Sequence, residues 1–202
     1  MTETFEPRTV HVKQLPSVSE PAPLGLFGLA VATLLLAVTY MGIVSDTDKA
    51  LLMPWILFFG ATTQFVAGLV EFKRNNIFGA TVFTAFSMAM YSIAMTLIIT
   101  SFTSVAVDMH HYAFGVIGVL IIALIATFAS LLTNKLLFVI LIAVDIAVVL
   151  LVGYYFWGLV GWPAGIFLLI TSALSFYGAM AILVNNMAGK VIMPLGKPLW
   201  EP

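Results

Sequence analysis

The chain has 202 residues, of which 62% are hydrophobic and 8% charged, with a formal net charge of -1. Soluble domains carry about 25% charged residues, so most of this surface cannot face water, and a chain this apolar is not disordered. The balanced charge offers no basic excess for nucleic acid, and the absence of cysteine excludes disulfides, iron–sulfur clusters and thiolate zinc sites. The composition is that of an integral membrane protein.

Residues 1–20 are polar and dotted with proline, with neither an apolar core nor a cleavage site, and read as a tail rather than a signal peptide. A helix needs about 20 apolar residues to cross the hydrocarbon. Six segments qualify: 23–44, 51–70, 77–99, 112–132, 136–157 and 163–184. The strict alternation of a membrane β-barrel is not visible. The expected fold is therefore all-α, a six-helix transmembrane domain over 21–187 with a C-terminal tail over 188–202. Alternating spans put Arg8, Lys13, Lys73, Arg74, Lys135, Lys190 and Lys197 on one side and Lys49 on the other. The positive-inside rule then makes both termini cytoplasmic in a multi-pass protein of the cell membrane. Tyr40, Trp55, Tyr112, Tyr154, Tyr155, Trp157 and Trp162 mark the opposite interface as an aromatic belt. The loops are too short to hold an active site, so function must lie between the helices.

Polar groups within the membrane require a partner, a cavity or a function. At 100° per residue, Gly60, Gln64, Ala67 and Glu71 share one narrow face of the second span. That face reads either as a pore lining or as a close helix seam. Thr84, Ser87 and Tyr91 form a hydroxyl stripe on the third span, with the same two readings. Asp145 lies ten residues beyond Lys135, hence about 15 Å into the membrane. It reads either as a proton-coupling carboxyl or as one that pins two helices. His110 and His111 lack further ligands at metal spacing and read as a solvated loop pair. No metal, cofactor or catalytic residue is expected.

The first span opens Pro21-Ala22-Pro23-Leu24-Gly25-Leu26. The second ends Gln64-Phe65-Val66-Ala67-Gly68-Leu69-Val70-Glu71, followed by Phe78-Gly79 and Thr81. Gly161-Trp162, Tyr177, Asn185, Gly189, Lys190, Pro194 and Gly196 continue the pattern. With six spans, this resembles the acetate uptake transporter family, also called succinate–acetate permeases. Its first-helix signature is Asn-Pro-Ala-Pro-Leu-Gly-Leu, and here Glu20 replaces the Asn. The resemblance implies a channel or transporter for acetate or similar small monocarboxylates, possible succinate transport and proton symport, and protomers assembled as a homo-oligomeric hexamer in membrane lipid. It places Pro21, Pro23, Leu24, Gly25, Gln64, Glu71 and Thr84 on the substrate pathway. It also implies a hydrophobic constriction, at Leu29, Phe86 and Leu131 by motif spacing. Phe86 lies opposite the Thr84, Ser87 and Tyr91 stripe, so if Phe86 lines the constriction the stripe is packing. Asp145 stands where the family is expected to carry a hydroxyl residue, which makes it the candidate for proton coupling. Two other readings remain open, a channel for a neutral solute or ammonium and a non-conducting structural membrane protein.

Overall fold

Backbone polar groups find no water inside a bilayer, so each span must close its own hydrogen bonds. The computed structural model describes residues 18–45 and 48–201. Among these, six helical segments are long and apolar enough to cross a membrane. They are α1 (Ala22–Tyr40), a second span over Lys49–Lys73 ending in α2 (Thr63–Lys73), α3 (Ile77–Phe102), α4 (Met109–Ser130), α5 (Lys135–Trp157) and α6 (Trp162–Ala188). The expected spans agree with these to within a few residues. Arg8, Lys13 and most of the expected N-terminal tail lie outside the described residues.

Short polar residues start α3, α4 and α5. Asn76 accepts from the Gly79 N–H at 3.2 Å, Asp108 from the His110 N–H at 2.9 Å and Asn134 from the Leu137 N–H at 3.0 Å. Each occupies one of the free N–H groups at a helix start. The backbone bond from His110, helped by its ring, holds the exposed Asp108 carboxyl below the usual carboxylate range. Its contribution to the start of α4 is therefore present above that range and is lost as pH falls through the lowered value. Gly158 and Gly189 end α5 and α6 with φ of +63°, a conformation in which glycine carries no Cβ penalty.

The second span departs from a plain α-helix. A short 3-10 turn (Lys49–Leu52) leads into a π-helix over Trp55–Thr62 before α2 begins. Three hydroxyls and one amide bond carbonyls in and beside this segment. Thr62 Oγ1 donates to Leu57 O at 2.9 Å, Ser87 Oγ of α3 to Ala61 O at 2.9 Å and Gln64 Nε2 to Gly60 O at 2.8 Å. Thr63 Oγ1 donates to Phe59 O.

α1 packs along α6 and against the second span, while α4 pairs with α5 and touches α3 only lightly. Small residues permit the close approach of α1. A Cβ on Gly28 would collide with Thr63, and one on Gly60 would meet Ala32 at 2.7 Å. Ser172 Oγ of α6 donates to Ala30 O of α1 at 2.7 Å. Residues beyond Gly189 fold back beneath the α4–α5 turn. Tyr177 Oη donates to Pro194 O at 2.9 Å, and the Leu199 and Trp200 N–H groups both bond Leu131 O at 3.0 Å.

Replacing Gly60 with Val should therefore destabilise the fold by about 1–3 kcal/mol through overpacking. Gly118, whose added Cβ would meet nothing within 4 Å, should accept Ala without loss. Thermal unfolding of the purified variants in detergent checks both.

Candidate permeation pathway

Three cavities follow one another through the helix bundle. The first lies at the end of the bundle that carries Lys73, Arg74 and Lys135. It has a volume of about 70 Å³ and is lined by Ala22, Gln64, Glu71, Asn76, Phe83 and Ile140, among others. The second, of about 160 Å³, lies mid-bundle between α1, α3, α4, α5 and α6, with Thr33, Met90, Val144 and Val148 on its walls. The third opens at the aromatic end as a vestibule of about 890 Å³. Leu29 and Phe86 line both the first and second cavities. Leu36, Ile93 and Tyr112 line both the second and third. The cavities are thus separated by two necks, an apolar one at Leu29 and Phe86 and one containing Tyr112.

At the basic end, the residues named from the sequence divide into lining and framework. Gln64 and Glu71 are 0% and 1% exposed, lie two helical turns apart on α2, and line the cavity. Gln64 Oε1 and Glu71 Oε2 have no hydrogen-bond partner among the described residues. Pro21 caps α1, Pro23 and Gly25 are buried, and Gly25 packs against the Phe83 ring. Leu24 points away, 41% exposed. Of this signature Leu26 lines the cavity, and so does Ala22. Its N–H donates to Glu20 Oε1 at 3.3 Å, and Glu20 Oε2 pairs with Arg74 at 2.7 Å. The anion-attracting start of α1 is therefore occupied by the chain's own carboxylate.

Thr84 does not line any of the three cavities. It faces Gly68 of α2, while Ser87 bonds Ala61 O and Tyr91 Oη lies 3.0 Å from Thr62 Oγ1. The hydroxyl stripe thus joins α3 to the second span, and Phe86, on the other side of α3, lines the neck. Leu131 lies apart from Leu29 and Phe86, at the α4–α5 turn where its carbonyl holds the C-terminal segment. The wall facing Phe86 comes from α5 instead, where Leu141 and Val144 join Phe86 in one apolar cluster. Motif spacing could not find them, because the one polar residue of α5 between Lys135 and Tyr154 is Asp145, which turns to α4, and the inward face is fixed only by packing.

Asp145 is 6% exposed and turned towards α4 rather than towards a cavity. Thr127 Oγ1 donates to its Oδ2 at 2.7 Å, while Oδ1 has no partner among the described residues. At the aromatic end, Tyr40, Tyr112, Tyr154 and Tyr155 gather on the vestibule wall. The Tyr40 and Tyr155 hydroxyls meet at 2.6 Å, and Tyr112 stacks edge-on to Tyr155 with ring centres 5.0 Å apart. Their place in the chain suggested an interfacial belt, and only the fold brings these four together. Lys49 also lines this vestibule, whereas no Lys or Arg is among the described residues lining the other two cavities.

Comparison with known proteins adds a family. Residues 1–197 match the family described as GPR1/FUN34/yaaH. Acetate permease A of Emericella nidulans is 27% identical, over 98% of this chain and 72% of its own length. The succinate-acetate/proton symporter SatP of Escherichia coli K12 is 26% identical, over 89% of this chain and 96% of its own. A solved structure, of the bacterial acetate channel SatP, superposes with a TM-score of 0.83 at 25% identity, covering 89% of this chain and 100% of that one.

Removing the Thr127 hydroxyl leaves the buried Asp145 carboxyl without its partner. Thr127→Val should therefore cost about 1–3 kcal/mol of stability, measured by thermal unfolding beside the parent protein.

Proposed function

We propose that this chain, which belongs to the GPR1/FUN34/yaaH family, carries acetate and similar small monocarboxylates across the cell membrane through its three successive cavities. The observation that carries this reading is the apolar neck at Leu29 and Phe86, flanked on one side by the Gln64 and Glu71 cavity. Such a neck accepts a methyl group while blocking hydrated inorganic ions, because its walls offer nothing to replace a hydration shell. The polar side chains on the basic side can orient the carboxyl end of the solute. The names and high structural similarity of the relatives support the same substrate class.

In this reading the basic end faces the cytoplasm, in keeping with the excess of Lys and Arg there, and the vestibule faces outwards. The carriage of succinate and the hexamer rest on the family resemblance. Each protomer would then hold its own pathway, with broad apolar faces such as that of Ile121, Leu124, Ile125 and Phe128 left for lipid or neighbouring subunits.

Labelled-acetate entry into proteoliposomes at pH 7.5, followed on the millisecond scale against protein-free vesicles, tests the function. Millisecond resolution is needed because acetic acid crosses lipid unaided. Protein-dependent entry that acetate blocks and ammonium does not is the expected result; entry equal to that of empty vesicles, with folded and inserted protein, contradicts it. Phe86→Ala should widen the neck and raise the rate for butyrate relative to acetate by about tenfold or more, since one or two methylenes in a tight apolar site are worth about that much. An unchanged ratio would place the selective neck elsewhere.

A further inference from the structure

The cavity at the basic end presents acceptors where an anion would need donors. Gly60 O takes the Gln64 amide nitrogen at 2.8 Å, which fixes the orientation of the amide and leaves Oε1, on a cavity-lining residue, as a buried acceptor with no hydrogen-bond partner among the described residues. The Asn76 amide nitrogen and a Glu71 carboxylate oxygen lie side by side against Gly79, and Glu71 Oε2 has no hydrogen-bond partner among the described residues. The groups around Glu71 can be named from each side. Arg74 Nη1 stands 3.8 Å away but is engaged by Glu20 of the α1 start at 2.7 Å. Asn76 and Gly79 face it from the start of α3. From α5 and α6 the cavity receives only apolar residues, Leu137, Ile140, Leu141 and Ile182.

The next cavity is no better suited to an anion. Its Thr33 and Ser92 hydroxyls donate to carbonyls of their own helices, at 2.8 and 2.9 Å. The remaining donor on its walls is Tyr112, at the far neck. A carboxylate leaving Glu71 would thus cross the Leu29–Phe86 neck into a space that offers it neither cation nor free donor until Tyr112. A carboxylic acid would not meet that penalty, and its O–H matches the two orphan acceptors in turn.

We propose that Glu71 is the proton-handling residue of the pathway and that the solute crosses the neck as the neutral acid. This rests on the carboxylate reading above. A carboxylate and Glu71 share one proton taken from water at the basic end. The O–H bond then completes on the solute, the hydrogen bond to Glu71 breaks, and the acid moves to Gln64 Oε1, two turns or about 10 Å along α2, leaving Glu71 ionised. Passage in the other direction reverses these steps. One proton and one carboxylate cross together, and no net charge moves. Asp145, sealed between α4 and α5 against Thr127, takes no part.

Acetate titrated into the purified full-length protein at pH 7.5, by calorimetry in two buffers of different protonation enthalpy, counts the protons taken up. The expected result is one proton per acetate, with apparent affinity falling about tenfold per unit of rising pH. Glu71→Gln should weaken binding at pH 7.5 by at least about tenfold, the scale of one lost charge-assisted hydrogen bond. Glu71→Asp should retain the proton uptake. Acetate binding without proton uptake in the parent protein overturns the inference while leaving the acetate pathway intact, and needs no variant to fold. Unchanged affinity and proton uptake in Glu71→Gln also overturns it, as does loss of the uptake in Asp145→Asn alone. No acetate binding, together with no protein-dependent flux, removes the carboxylate reading and this inference with it.

Discussion

Every carbonyl inside a bilayer must be satisfied by the protein itself, and in this molecule that demand is most acute at the π-helix of the second span. There the backbone changes its hydrogen-bond register, and Thr62, Thr63, Gln64 and Ser87 each donate to a carbonyl in or beside the segment. Stretches of π-helix inside α-helices are associated with functional sites, and this one stands next to the Gln64 cavity. It commits the donor end of Gln64 to Gly60 O and leaves the acceptor end buried without a hydrogen-bond partner among the described residues. The Ser87 and Tyr91 hydroxyls, which the sequence left open as a packing seam or a pore lining, are likewise engaged in holding α3 to the second span.

The polarity of the proposed pathway follows from those commitments. Glu20 occupies the start of α1 and holds Arg74, so the helix start and the guanidinium nearest this cavity are both engaged by the chain itself. Beyond lies a neck of Leu29 and Phe86 backed by Leu141 and Val144 of α5. A bare anion is poorly served along this stretch and a neutral acid is well served. The opposite end differs, with a wide vestibule walled by tyrosines and including Lys49, where an ionised carboxylate can be received from water.

The six spans were legible because hydrophobic length is a one-dimensional property, broken at Glu71 to Asn76 and at Thr133 to Lys135. The burial of Gln64, Ala67 and Glu71 on one face was legible too, since α2 is regular over that stretch. The π-helix was not, because an apolar run looks alike whichever carbonyl each N–H bonds. Nor could the sequence show that Thr84 faces Gly68, that Thr127 holds Asp145, or that Leu131 lies at a turn beside the C-terminal segment. Those facts depend on which residues of another helix come within 3 Å, and α5, whose one polar residue between Lys135 and Tyr154 is Asp145, carries no periodic mark of its inner face. The tyrosine cluster shows the same limit, since four residues from three helices read separately as interface markers.

The central claim is that a small carboxylic acid binds inside the bundle, in line with the Leu29–Phe86 neck. Soaking crystals with bromoacetate and locating the bromine by anomalous scattering tests this directly, and the chain has no cysteine to alkylate. The account predicts a bromine peak in the cavity lined by Gln64 and Glu71, or across the neck against Val144. Bromine found only outside the three cavities, between protomers or beside Asp145, would contradict it.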